Sequence, residues 1–193
     1  MNKIKEILSA HKVICFPTET VMGLGVFYND FEAYSMLNKI KNRAPDKPYT
    51  MMIKSIDDIA LYCQINTKIM NVIKAFMPGS LTILVKAKEI VPDFVTHSTG
   101  IIGIRIPSNK EALEVLQEAE LPLLVPSCNK AGEKPAYTSE EAKEMFKDEV
   151  SLYIEGKSIS NVPSTIVNLV GDEPILIREG QITLKEILEI WNA

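Results

Sequence analysis

Short apolar runs alternate with amphipathic stretches along almost the whole chain. The run at residues 13–16 ends at Pro17 and predicts a buried strand. Similar runs predict strands at residues 81–85, 101–106, 123–125, 165–169 and 175–177. Apolar positions spaced by three or four residues predict helices at the N-terminus and at residues 31–41, 112–119 and 184–191. Some strands follow one another without a helix between them, so we expect an α/β fold with a mixed sheet.

The composition is that of an ordinary globular protein. Of the 193 residues, 46% are hydrophobic and 24% are charged. There is no internal repeat, low-complexity tract or long linker, so a single domain spanning residues 1–193 is expected. No apolar run is long enough to cross a bilayer, and the N-terminus lacks the features of a signal peptide. We therefore expect a cytoplasmic protein without membrane association.

The net charge and the cysteine content argue against several kinds of binding site. The formal net charge is −4, so the chain as a whole does not resemble a nucleic-acid-binding protein, and any anion site must be local. The three cysteines, Cys15, Cys63 and Cys128, are widely spaced and form no CxxC pair. That spacing argues against a disulfide framework or a zinc site and for a reducing compartment.

Two glycine-containing segments imitate nucleotide-binding motifs without completing them. Gly23-Leu24-Gly25 lacks the third glycine of the dinucleotide fingerprint, because Tyr28 stands there. A tight turn after a strand is the favoured interpretation. Gly156-Lys157-Ser158 resembles the end of a phosphate-binding loop, but Ser151 replaces the first glycine and residues 152–154 look like a strand.

Cys128 is a candidate nucleophile only if a base lies nearby. The two histidines are His11, in or just after the first helix, and His97, in a polar loop. We interpret Cys128 as a small buried thiol. HExxH and G-x-S-x-G motifs are also missing from the sequence, so neither a catalytic triad nor a protein-built metal site is expected.

Several loops that follow strands carry polar residues beside proline or glycine. Ligands of open α/β sheets commonly sit where such loops converge. Convergence would bring five basic residues around one cleft: Lys41, Arg43, Lys47, Arg105 and Arg178. Such a pocket suits phosphates and carboxylates. The alternative is that each is a solvated surface charge, and Lys41 in particular has the position of a helix C-terminal cation.

The same loops match the motifs of a known family. The segment Phe16-Pro17-Thr18-Glu19-Thr20-Val21-Met22-Gly23-Leu24-Gly25 resembles an N-terminal signature, Lys41-Asn42-Arg43 a KxR motif and Ser127-Cys128-Asn129 an S-x-N motif. Further blocks follow at residues 103–107, 163–167 and 177–180. This ordered set, from about Ile14 to Gly180, is similar to the YrdC-like family, whose members make threonylcarbamoyl-AMP for tRNA modification.

The resemblance implies a twisted open mixed sheet with flanking helices and a central positively charged cleft. It also implies an L-threonylcarbamoyladenylate synthase that joins L-threonine, bicarbonate or CO₂, and ATP. The expected catalytic residues are Lys41, Arg43, Ser127 and Asn129. ATP is expected at these four together with Lys47 and Arg178, and L-threonine at Thr20, Arg105 and Ser164. Mg²⁺ is expected to accompany ATP, held mainly by nucleotide oxygens and water.

The resemblance also implies binding partners for the protein. The product is expected to pass to a downstream tRNA threonylcarbamoyl transferase complex, and tRNA or double-stranded RNA is a further possible ligand.

The chain resembles the short form of the family. Met22 stands where many members have tyrosine, and Cys128 replaces the usual alanine of the S-x-N motif. Lys47 and Met52 occupy positions often filled by asparagine and histidine in longer relatives.

Two other functions are compatible with these residues. A positive concave surface would also suit an RNA-binding module without synthase activity, recognising the shape of a phosphate backbone. The affinity of such a module for RNA would fall steeply with salt and would not depend on threonine. A regulatory domain that binds a nucleotide without turning it over is the third alternative. Threonine-dependent release of pyrophosphate would distinguish the synthase from both.

Overall fold

The chain folds around one mixed sheet. The computed structural model describes residues 3–43, 48–160 and 162–193. Within these ranges the strands are β1 (Ile14–Phe16), β2 (Gly23–Phe27), β3 (Thr50–Met52), β4 (Leu81–Lys86), β5 (Ile101–Arg105), β6 (Leu123–Leu124), β7 (Leu152–Tyr153), β8 (Thr165–Asn168) and β9 (Ile175–Arg178). Their spatial order is β7-β1-β2-β6-β3-β5-β4-β8-β9. Three of the pairings, β1 with β7, β3 with β5 and β4 with β8, are parallel.

Helices flank the sheet, and polar side chains cap the starts of several of them. The helices are α1 (Lys3–Ser9), α2 (Phe31–Ile40), α3 (Ile56–Tyr62), α4 (Thr67–Phe76), α5 (Asp93–Thr96), α6 (Lys110–Ala119), α7 (Ser139–Phe146) and α8 (Leu184–Trp191). Asp30 caps α2 by accepting the N–H of Ala33 at 3.0 Å, and Thr138 and Thr183 open α7 and α8 with capping boxes. In the part of the chain that the structure describes, no helix is long and apolar enough to cross a membrane.

Both faces of the sheet are buried at β1. Side chains alternate between the faces of a strand. Ile14 and Phe16 lie in a smaller apolar cluster with side chains of α1 and α6. Cys15 lies in the larger cluster, which includes Phe146 and Trp191. The two clusters hold the middle strands between layers of helix, and the loops at the strand ends are left to form a site.

The predicted strands and helices are confirmed, with boundaries shifted by one or two residues. The interpretation of Gly23-Leu24-Gly25 as a tight turn is wrong, because these residues open strand β2. Their glycines serve close packing across the sheet. A Cβ on Gly23 would lie 2.6 Å from Cγ1 of Val125, and one on Gly25 would lie 2.8 Å from Cε1 of Phe16. The reversal of the chain occurs earlier, between β1 and β2.

Candidate functional site

A cleft of about 430 Å³ opens where the loops after several strands meet. It receives seven of the residues singled out in the sequence, which are Thr20, Arg43, Arg105, Ser127, Asn129, Ser164 and Arg178. Apolar walls come from residues that include Met22, Met52, Val125 and Ile166. None of the described residues lining the cleft is an aspartate or a glutamate. Lys41 is not among the lining residues, and Lys47 lies outside the described residues.

The hydroxyl group of Thr18 stabilises the loop between β1 and β2. Thr18 Oγ1 accepts the N–H groups of Thr20 and Val21, at 3.2 and 3.3 Å, and lies 2.7 Å from the carbonyl oxygen of Val21. This is a local turn of the kind that a threonine hydroxyl stabilises. It directs the hydroxyl of Thr20 toward Arg105, whose Nη2 lies 3.0 Å away.

Arg105 enters the cleft at the end of β5 as half of a buried ion pair. Its Nη2 donates to the carboxylate of Glu19, and its Nε donates to the carbonyl of Gly79 at 3.3 Å. The other oxygen of Glu19 accepts the N–H of Ser108 at 3.2 Å. Both side chains are less than one-tenth exposed. The sequence interpretation missed Glu19 as a site residue, although its position between Thr18 and Thr20 marked it.

Arg178 ends β9 and binds the loop before β8. Its Nε and Nη2 donate to the carbonyl of Ser164 at 3.0 and 2.9 Å, and Nη2 also reaches the Ser164 hydroxyl at 3.1 Å. That hydroxyl lies 3.0 Å from Oγ1 of Thr82. Burial, and then the charge of Arg105, lower the pKa of Arg178. Among the described residues no carboxylate is paired with it. An anion that enters the cleft would therefore meet an uncompensated charge.

Gly180 permits the close approach that joins Arg178 to Ser164. A Cβ at this position would lie 2.3 Å from the carbonyl oxygen of Pro163 and 2.5 Å from the nitrogen of Thr165. The Thr165 hydroxyl accepts the N–H groups of Gly180 and Ile182 at 3.0 and 3.1 Å. Two backbone segments thus touch where only glycine fits.

Replacing Gly180 by alanine is expected to lower the free energy of unfolding by about 1–3 kcal/mol, because the methyl group must push the Ser164 loop away. The same displacement should raise the KM for the ligand bound at Ser164. Gly171→Ala is the matched control, since a Cβ there meets nothing within 4 Å. Urea denaturation of both variants tests this expectation. Equal stability of the two variants would contradict it.

The S-x-N motif is a loop bonded to itself and to Lys41. The hydroxyl of Ser127 donates to Oδ1 of Asn129 at 2.5 Å, and Nδ2 of Asn129 donates to the carbonyls of Lys130 and Glu133. Lys41, at the C-terminal end of α2, is only 2% exposed. Its Nζ donates to the carbonyls of Ser127 and Asn129 at 2.5 and 2.6 Å. Burial, and then the charge of Arg43, lower the pKa of Lys41 to about 8.

Arg43 reaches the cleft beside an aromatic ring. Its Cζ lies 4.8 Å from the ring centroid of Tyr49, a distance suited to a cation–π contact. The hydroxyl of Tyr49 donates to Oδ1 of Asn38 at 2.6 Å, so the ring is fixed from α2. Burial raises the pKa of Tyr49. Arg43 is therefore presented to the cleft on a rigid support.

The prediction that Cys128 is a buried thiol is confirmed. Its sulfur lies 3.6 Å from that of Cys15, and both side chains are fully buried. The hydrogen bond to Cys128, and then burial, raise the pKa of Cys15. The histidines have other neighbours: His11 Nδ1 lies 2.8 Å from Asp30, and His97 Nε2 lies 3.3 Å from the hydroxyl of Tyr34.

Comparison with known sequences confirms the family that the sequence motifs indicated. The Sua5/YciO/YrdC family model, described as "Telomere recombination", matches residues 6–180. The chain belongs to this family.

Individual relatives give the likeness in more detail. The chain is 30% identical to the threonylcarbamoyl-AMP synthase of Pyrococcus abyssi over 93% of its length, and 29% identical to that of Bacillus subtilis over 94%. It spans about half of each of these relatives, 53% in both cases.

Solved structures share the twisted open mixed sheet. P. abyssi Sua5 complexed with L-threonine superposes with a TM-score of 0.91 at 29% identity, over 97% of this chain and 57% of that one. Escherichia coli YciO superposes with a TM-score of 0.88 at 26% identity, over 96% of this chain and 91% of that one.

Proposed function

We propose that the chain is an L-threonylcarbamoyladenylate synthase, forming threonylcarbamoyl-AMP and pyrophosphate from L-threonine, bicarbonate or CO₂, and ATP. The observation that carries the proposal is a single cleft lined by Arg43, Arg105 and Arg178, whose described lining residues include no carboxylate. The buried carboxylate of Glu19 pairs with Arg105. Three arginines thus line one cleft of an acidic protein, which supports binding of a nucleotide and of the carboxylate of an amino acid.

The nucleotide is proposed to lie along the Arg43 side of the cleft. Arg43 offers a planar fork to phosphate oxygens. Ser127 and Asn129 line the same cleft and would exchange hydrogen bonds within their loop for bonds to the α-phosphate. Arg178 and Lys47 complete the proposed ATP-binding set. Mg²⁺ is proposed to arrive with the nucleotide, because the described lining residues carry no carboxylate that would hold it.

L-threonine is proposed to lie between Thr20, Arg105 and Ser164. Arg105 would bind the carboxylate, with Glu19 and Thr20 fixing the direction of its guanidinium. Ser164 is held between Thr82 and Arg178, so its hydroxyl has a defined position. The P. abyssi Sua5 structure contains L-threonine, which supports this substrate for a chain of the same fold.

The proposed reaction needs alignment more than a base. The amine of threonine combines with CO₂ to give a carbamate and a proton, and the proton leaves to solvent. A carbamate oxygen then bonds to the α-phosphorus of ATP as the bond from that phosphorus to the bridging oxygen breaks, releasing pyrophosphate. The attacking oxygen is already anionic, so no histidine is required. Arginines fixed in place can stabilise the charge of the transition state without reorganising.

The product is proposed to serve formation of N6-threonylcarbamoyladenosine in tRNA. A mixed anhydride of this kind hydrolyses in water, so transfer to a downstream tRNA threonylcarbamoyl transferase complex would follow in the cytoplasm. The names of the relatives from P. abyssi and B. subtilis support the chemistry.

The experiment that tests the proposed function incubates the pure protein with ATP, Mg²⁺, bicarbonate and L-threonine, omitting each in turn. Mass spectrometry is expected to find threonylcarbamoyl-AMP only in the complete mixture, with an equal amount of pyrophosphate. Serine in place of threonine is expected to react with a modest loss, because one methyl group contributes only about 1–3 kcal/mol of discrimination. A protein that binds ATP yet releases no pyrophosphate with threonine would refute the proposal.

A further inference from the structure

Lys41 joins the end of α2 to the S-x-N loop through both its main chain and its side chain. Its carbonyl oxygen accepts the N–H of Ala131 at 2.8 Å. Its ammonium group donates to the carbonyls of Ser127 and Asn129 at 2.5 and 2.6 Å. Three hydrogen bonds therefore tie one residue to both ends of a five-residue loop.

The direction of the ammonium group decides its role. Lys41 is 2% exposed and is not among the residues that line the cleft. Two of its three N–H donors are occupied by carbonyls, so a single N–H is left for any other partner. By contrast, the cleft-lining Arg43, two residues later, faces the same volume as Ser127 and Asn129. The two basic residues of the KxR motif thus point to different places.

We infer that Lys41 is a positioning residue, whose ammonium fixes the loop that carries Ser127 and Asn129, while Arg43 is the residue of the motif that meets phosphate. The inference deepens the proposed function, on which it rests for its turnover measurement alone. It replaces direct contact between Lys41 and the ATP phosphates, which the sequence motif suggested.

The protonation of Lys41 gives this role a pH signature. Arg43 and Cys128 are the ionisable neighbours that act on it electrostatically, and burial has the largest effect on its pKa of about 8. Above that pH the ammonium becomes an amine and its hydrogen bonds to carbonyls weaken. Turnover is therefore expected to fall as the pH rises through about 8.

Stability is expected to change in the opposite direction over the same range. The folded pKa of about 8 lies below the ordinary value of 10.5, so the unfolded chain binds more protons between these values. The free energy of unfolding then rises with pH across this window, as far as Lys41 determines it. A fall in activity beside a rise in stability separates loss of the ammonium from general unfolding.

The variant that tests the inference is Lys41→Met, which keeps the length of the side chain and removes its charge. Amide hydrogen exchange of Cys128 and Ala131 in the ligand-free protein is expected to accelerate about tenfold or more, because the loop loses two charge-assisted hydrogen bonds. Lys39→Met, an exposed change in the last turn of the same helix, is the matched control and should leave both amides unchanged.

Nucleotide affinity distinguishes positioning from phosphate contact. Lys41→Met is expected to weaken AMP and ATP by the same factor, whereas removal of a phosphate ligand would weaken ATP far more than AMP. Turnover is expected to fall about 100-fold through misplacement of the loop, with the KM for threonine unchanged. Unchanged amide exchange, or a selective loss of ATP affinity, would overturn the inference.

If the variant does not fold, the wild-type protein still decides the question. The ¹⁵Nζ resonance of Lys41 is expected to be observable without ligand and to have the same position in the AMP and ATP complexes. A resonance that shifts only with the triphosphate would overturn the inference. Failure of the proposed synthase activity would leave the amide-exchange result standing, so the two failures are distinguishable.

Discussion

Arg43→Ala is expected to reduce the formation of threonylcarbamoyl-AMP by about 1,000-fold while leaving the protein folded. The guanidinium lies on the ring of Tyr49 and faces the cleft, where the proposed reaction would spread negative charge over the oxygens bound to the α-phosphorus. Removing a donor fixed in this position affects the transition state more than the bound substrate, so kcat should fall more than the affinity for ATP.

The measurement compares single-turnover formation of product in Arg43→Ala, Arg43→Lys and Lys39→Ala. Loss of the cation–π contact costs the fold only about 0.5–1 kcal/mol, so circular dichroism should be unchanged in all three. Arg43→Lys keeps the charge but not the planar fork, and should recover part of the lost rate. Near-normal turnover in Arg43→Ala would remove this residue from the catalytic assignment.

Arg105→Met is expected to have the largest effect on stability, lowering the free energy of unfolding by about 3–5 kcal/mol. Among the described residues, the change leaves the buried carboxylate of Glu19 with the N–H of Ser108 as its hydrogen-bond donor. Because the whole stability of a domain is about 5–15 kcal/mol, the variant would be close to unfolding. Any protein that folds should bind L-threonine much more weakly.

A second substitution separates the buried charge from the lost contact. Glu19→Gln combined with Arg105→Met removes the uncompensated carboxylate, so the double variant should be more stable than Arg105→Met alone. Threonine binding should remain weak in the double variant, because the arginine is still missing. Urea denaturation and calorimetric titration with threonine measure the two effects independently. A double variant less stable than the single one would contradict this account.

Much of the fold follows from local pattern, and the exceptions have a physical cause. Phe31, Tyr34 and Leu37 share one face of a helix, and α2 has the expected bounds. Strand β2 was missed because two of its first three residues are glycines, which signal a turn when seen alone. What selects glycine there is the ring of Phe16 and the side chain of Val125, neighbours that only the folded sheet supplies.

The site shows the same division between local and distant information. The motifs brought Thr20, Arg105, Ser127 and Arg178 into one predicted cleft, and the structure places all four there. The sequence could not show that Lys41 turns toward carbonyls 86 and 88 residues away. A sequence motif shows that a basic residue is present. The direction of its side chain depends on which loop packs beside it.

The order of the strands determines when the cleft becomes complete during folding. The cleft combines Thr20, from the start of the chain, with Arg178, from the last strand, and β7 returns to the edge beside β1. Pairings between such distant segments make folding slow, since long loops must close first. No early fragment of the chain carries a complete site. Ligand binding is therefore expected to require the complete fold. Saturating nucleotide should raise the melting temperature of the whole sheet in a single transition.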